Sequence, residues 1–118
     1  MAHEAAVAAL AAHEASLISH VAFETTAALS RMPEGQRVAA AVVVDWLERR
    51  FPEPWLALPA QQGRVALRAA VAQGARGGAL YDALIAATAV HHEVTLVSAD
   101  RRAAPVYAAL GAEVRYLL

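Results

Sequence analysis

The stretch Ala79–Asp100, ALYDALIAATAVHHEVTLVSAD, sets a helical run directly against a strand, and that order constrains the fold more than any other feature of the chain. Residues from about Leu80 to His92 predict a helix whose small side chains, Ala83, Ala86, Ala87 and Ala89, let it approach a sheet closely. VTLVS (94–98) is short, apolar and β-branched, and is the best strand in the sequence. An aspartate stands at each junction: Asp82 where the helix opens and Asp100 where the strand closes.

The same alternation runs through the rest of the chain. Residues 4–12 are alanine-rich and predict a helix; SLISH (16–20) predicts a buried strand; AFETTAALSRM predicts a helix that MPEG (32–35) ends. Residues 36–51 predict an amphipathic helix with Val38, Val42 and Trp46 on its apolar face and Arg37, Asp45 and Arg49 on the other. FPEP (51–54) stops it, and WLAL (55–58), between prolines, reads as an edge strand. A helix over 60–73 is expected to anchor through Val65, Leu67 and Val71, before a loop at GARGG (74–78). A short helix over 103–110 ends at Gly111, and EVRYLL (113–118) alternates as a last strand. Strands alternating with helices predict an α/β fold: a mainly parallel sheet flanked by helices, with a ligand crevice beyond the carboxyl ends of the strands.

Composition narrows the function classes. With 118 residues, 58% of them apolar, the chain has enough material for one domain with a real core. It contains no cysteine, so thiolate metal sites and disulfides are excluded. A net charge of −1 gives no general pull toward nucleic acid. All ten basic residues are arginines, which excludes catalysis by a lysine amine. The start is neither a secretory signal nor a transit peptide, and no apolar run is long enough to span a membrane; the expected location is the cytoplasm.

The acids then carry the argument. Glu24 follows the SLISH strand, Asp82 begins the helix that leads into VTLVS, and Asp100 follows that strand, so the three are expected to converge on one rim. Each also has an ordinary explanation. Glu24 and Asp82 fit first helical turns, where the dipole favours negative charge. Asp100, before Arg101 and Arg102, fits a turn residue in a surface ion pair. Together, three carboxylates repel one another unless a divalent cation offsets them, and hard oxygen donors suit Mg²⁺ or Mn²⁺. Arg101 and Arg102 are placed to meet phosphate beside that rim.

LYDALIAATAVHHEVTLVSAD resembles the second half of PIN-domain nucleases, especially VapC-type toxins of bacterial toxin–antitoxin pairs. Those carry an aspartate in an apolar small-residue helix, then a strand, then Ser/Thr-x-Asp, which Asp82, Ser98 and Asp100 match. LISHVAFETTAALSRM resembles the family's strand and the helix bearing its glutamate, with Glu24 as the match, and EVRYLL fits the closing strand. The middle, 31–75, agrees only in helical character. PIN domains open on a central apolar strand ending in an aspartate, whereas HEAAVAALAA resembles the helix that comes next. The expectation is therefore a single PIN-like domain over 1–118, N-terminally incomplete, with that strand missing from the chain. A start codon assigned too late, a fragment, or flanking strands that close up or borrow a strand from another chain are the three routes to such a sequence.

The resemblance implies a metal-dependent endoribonuclease toxin. Glu24, Asp82 and Asp100 hold Mg²⁺ or Mn²⁺, Ser98 supports them, and water attacks the RNA phosphodiester in line without a covalent intermediate. It also implies a homodimer and a cognate antitoxin whose tail blocks the crevice. The alternative is a catalytically impaired PIN-like protein that acts through antitoxin or dimer binding. A receiver-like phosphotransfer domain is disfavoured because no lysine is present for the phosphate.

Overall fold

The computed structural model describes residues 15–117, and the helix expected at 4–12 lies outside them. The described residues form two compact units, Ala15–Ala57 and the stretch from Leu58 onward.

In the first unit, the strand expected over SLISH shrinks to one parallel bridge between Ile18 and Leu56. The Ser19 amide donates to the Leu56 carbonyl and the Leu56 amide to the Leu17 carbonyl, both at 2.8 Å. Ser19 and His20 already belong to helix α1 (Ser19–Ser30). The expected WLAL strand contributes only Leu56 to this bridge, because the flanking Pro54 and Pro59 have no amide to extend a ladder.

Helix α2 (Ala40–Arg50) begins four residues later than expected. Ala39 is extended, and the Val38 amide is engaged at 3.1 Å by the Leu29 carbonyl of α1. The expected apolar face is also displaced. Val43, Leu47 and the C-cap Phe51 are the buried series, while Val42 and Trp46 are exposed. With Val38 outside the helix, the 38/42/46 series loses its first anchor. The 43/47/51 series keeps the same four-residue spacing one step on, and Phe51 closes the helix through its amide to the Leu47 carbonyl at 2.8 Å.

The second unit starts with α3 (Ala60–Ala72) and α4 (Gly78–His91). Val65, Leu67 and Val71, expected as anchors of α3, are instead 65%, 55% and 57% exposed; Ala70 is the residue the helix buries. Gly63, Ala66 and Leu67 line a groove with Leu80, Ala83 and Leu84 of α4. In α4, Ala83, Ile85, Ala86, Thr88 and Ala89 are buried, and the Thr88 hydroxyl is satisfied by the Leu84 carbonyl at 2.7 Å.

Strand β1 (Leu96–Ser98) pairs in parallel with β2 (Val114–Tyr116), Leu96 opposite Val114 and Ser98 opposite Tyr116. Between them run a 3₁₀ turn over Arg101–Ala103 and helix α5 (Ala104–Ala109). The parallel pairing and the strand–helix alternation are those of the expected α/β class, with two strands and one further bridge among the described residues. Ala86, Ala103 and Tyr107 form the buried centre of this unit, with Leu96, Leu110, Val114 and Tyr116 packed against it. Among the described residues, no helix is long and apolar enough to cross a membrane.

Three helices of this unit end in the same way. After α3 and α5, Gly74 and Gly111 take positive φ, and the following amides reach back to the Ala70 and Tyr107 carbonyls at 3.0 Å. After α4 the equivalent residue is Glu93, at φ 55°, with the Val94 amide returning to the Ala89 carbonyl at 3.0 Å. A side chain in that conformation costs about 1–2 kcal/mol. Glu93→Gly is therefore expected to stabilise the protein by about 0.5–1 kcal/mol after the glycine's own entropy is counted, raising the thermal midpoint by roughly 2–6 °C in calorimetry. Ala86 is fully buried; Ala86→Leu is expected to cost about 1–3 kcal/mol in denaturant titration, the cost of forcing three more carbons into a packed position.

Candidate functional site

The carboxyl end of β1 builds the site. Ser98 is its last residue, and the Ser98 carbonyl accepts from the Leu117 amide at 3.1 Å, so its backbone is fixed by the sheet. The Ser98 Oγ accepts the Asp100 amide at 3.0 Å, a two-residue side-chain turn that bends the chain out of the strand. Asp100 then caps the 3₁₀ turn: its Oδ1 accepts the Arg102 amide at 3.0 Å and the Arg102 Nε at 3.2 Å. The ordinary reading of Asp100, a turn residue in a surface ion pair, is thus what the structure shows, with the Arg102 side chain 93% exposed. The guanidinium hydrogen bond first, and the backbone one second, hold the Asp100 carboxyl below its usual range.

Asp82 lies on α4, partly buried, in the same unit. Because α4 starts at Gly78, Asp82 is beyond the first turn, and Glu24 is likewise beyond the first turn of α1. The expected first-turn placement is wrong for both, and with it the helix-dipole explanation, which fades within one turn. An extra turn of helix ahead of each acid, unsignalled by any capping residue, accounts for the difference.

Tyr107, buried on α5 in the same unit and only 5% exposed, was not evident in the sequence. Burial chiefly, then the negative charges of Asp82 and Asp100, push its pKa above the ordinary 10.0, while the Ser98 hydrogen bond pulls the other way. Asp82, Ser98, Asp100 and Tyr107 thus all belong to the second unit. The only signal in the sequence was a tyrosine seven residues after Asp100 in an otherwise alanine-rich helix.

The remaining expected site residues are placed as follows. Glu24 stands on α1 in the first unit, half-exposed, with His20 Nε2 3.6 Å from its Oε1, one helical turn away. Arg101 lies over the Tyr116 ring, its guanidinium carbon 4.6 Å from the centroid. Among the described residues, no group of three or more His, Cys, Asp or Glu side chains is assembled around one point. For the divalent cation that the resemblance implies, the donor set of the second unit fits in kind. Asp82 and Asp100 are hard oxygen donors, and Mg²⁺ is commonly held by one or two carboxylates, with water and substrate phosphate completing its shell.

The neutral phenol contributes stability below its unfolded pKa near 10.0, and that contribution is lost as pH rises through its higher folded value. Asp82→Asn and Asp100→Asn are each expected to lower the pH at which Tyr107 ionises, followed by tyrosinate absorbance or carbon NMR of the ring. An unchanged midpoint in either variant shows that the substituted acid does not act on this phenol.

A family model for the PIN domain matches residues 2–109. Ribonuclease VapC27 of Mycobacterium tuberculosis (strain ATCC 25618 / H37Rv) is 36% identical over 113 residues, covering 96% of this chain and 82% of its own length. Ribonuclease VapC40 of Mycobacterium tuberculosis, in strain CDC 1551 / Oshkosh, is 38% identical over 112 residues, covering 95% of this chain and 83% of its own. The same holds for VapC40 of strain ATCC 25618 / H37Rv. No solved structure matches the chain significantly. A domain model matched over most of the sequence, together with these relatives, establishes that the chain belongs to the PIN-domain family, in its VapC-type branch.

Proposed function

We propose that this protein is an endoribonuclease toxin that hydrolyses RNA phosphodiesters with a divalent cation, Mg²⁺ or Mn²⁺, and that residues 1–118 make one PIN-like domain. The observation that carries the reading is the Ser98-x-Asp100 turn at the carboxyl end of β1, with Asp82 on α4 in the same unit, in a chain similar to proteins named ribonucleases along nearly its whole length. In this proposal Asp82 and Asp100 are ligands of the cation, Ser98 fixes the turn that presents Asp100, and Glu24 keeps the ligand role that the family resemblance implies. The cation supplies Lewis acidity and water activation at the phosphodiester. Arg101 and Arg102 bind flanking phosphates; Arg102, which stands in solvent, exchanges the Asp100 carboxylate for a phosphate oxygen at little cost.

A cognate antitoxin, a second copy of the chain and a cytoplasmic location complete the proposal. The exposed Val65, Leu67 and Val71 of α3 favour a covered face, and they equally suit the second reading, a PIN-like protein that binds its partners without cleaving RNA.

Cleavage of RNA by the purified protein separates the two. Activity is expected with Mn²⁺ or Mg²⁺ and none in chelator. Asp82→Asn, Asp100→Asn and Glu24→Gln are each expected to abolish detectable cleavage while retaining the parent's circular dichroism spectrum. If the parent is as inert as the variants yet still binds antitoxin, the binding reading replaces the nuclease one.

A further inference from the structure

Arg101 and Arg102 stand side by side after Asp100, and the structure holds them in different ways. The Arg102 Nε donates to Asp100 Oδ1 at 3.2 Å, and its side chain is 93% exposed. The Arg101 guanidinium instead lies over the ring of Tyr116, its carbon 4.6 Å from the centroid. Tyr116 is the last residue of β2, opposite Ser98 in the parallel register. It is partly buried and packs against the centre formed by Ala86, Ala103 and Tyr107. The stack is therefore rooted in the sheet at the level where β1 ends, beside the turn that carries Asp100. An arginine in water loses much of its rotamer freedom when a ligand orders it. Stacking on a ring held by the core settles part of that loss in advance. It engages the flat face of a guanidinium and not its N–H edge, and the edge is what recognises phosphate through two parallel hydrogen bonds.

We propose that Tyr116 is a positioning residue for Arg101: it braces the guanidinium at the carboxyl end of β1 as a preset contact for an RNA phosphate, while Arg102 serves as the counter-ion of Asp100. Two identical neighbours are thereby divided in role, one braced by an aromatic ring and the other held by a solvent-exposed ion pair that exchanges readily. The link to RNA rests on the function proposed above; the bracing of Arg101 by Tyr116 does not.

The test follows the Arg101 side chain and RNA binding in the full chain. In metal-free protein, the Arg101 δ-methylene protons are expected upfield of those of Arg102 in proton NMR, since the Tyr116 ring current acts on the first and not the second. Tyr116→Phe is expected to keep the shift and Tyr116→Leu to remove it. A short single-stranded RNA, titrated without metal by fluorescence anisotropy, is expected to bind Tyr116→Leu about 2- to 5-fold more weakly than the parent, the size of an exposed cation–π contact. Tyr116→Phe is expected to bind as the parent does. In cleavage, KM rises by the same factor and kcat is kept. On an Arg101→Ala background, Tyr116→Leu is expected to add nothing, since both act through one guanidinium. Absence of the upfield shift in the parent overturns the proposal without any variant. An equal loss of affinity from Tyr116→Leu with and without Arg101 overturns it too, because a merely structural role gives that result. A parent that cleaves RNA while Arg101→Ala leaves affinity unchanged overturns the positioning role alone. A parent that shows the shift and the coupled loss of binding but does not cleave RNA with Mn²⁺ overturns the nuclease reading and leaves the positioning role standing.

Discussion

Close approach of α4 to its neighbours, made possible by alanine, is the constraint on which the second unit depends. Ala83, Ala86 and Ala89 are buried along one side of this helix, so backbone, rather than long side chains, meets the surrounding elements. The space they leave is filled by Tyr107 from α5 and by the inward residues of β1 and β2. Larger residues in those places push the helix outward, and Asp82 moves with it. The position of one carboxylate is thus set by the absence of bulk elsewhere on its own helix.

The second carboxylate is placed by different means. Asp100 follows a strand whose backbone is fixed by parallel pairing, and its geometry is then refined by three short-range bonds, from its amide to Ser98 and from Arg102 to its Oδ1. A helix position and a strand end are rigid in separate ways.

Much of this was legible in the sequence because it is local. The α4–β1 succession, the short helix ended by Gly111 and the Ser98-x-Asp100 turn each depend on residues within a few positions of one another. What was not legible depends on partners distant in sequence. The buried face of α2 lies at Val43 and Leu47 rather than Val42 and Trp46, since both series have helical spacing and only the packing partner distinguishes them. In α3 the larger apolar residues looked like anchors, whereas Ala70 is the residue the helix buries. Strand length at Ile18 was overestimated because β-branched composition marks extended backbone without saying how many ladder bonds a proline-flanked partner offers. Tyr107 escaped notice for the same reason: its burial depends on packing with Ala86 of α4 and with Leu96, Val114 and Tyr116 of the strands.

The single oxygen of Asp100 that serves both the turn and Arg102 has a bearing on how a polyanion approaches this rim. A pair of aspartates facing solvent presents a repulsive field to any nucleic acid. Here the chain supplies its own counter-ion, a guanidinium anchored two residues away and standing in water. The Asp100 carboxylate is partly neutralised by this exposed guanidinium. In the proposed reading, a polyanion meets the guanidinium before the carboxylate.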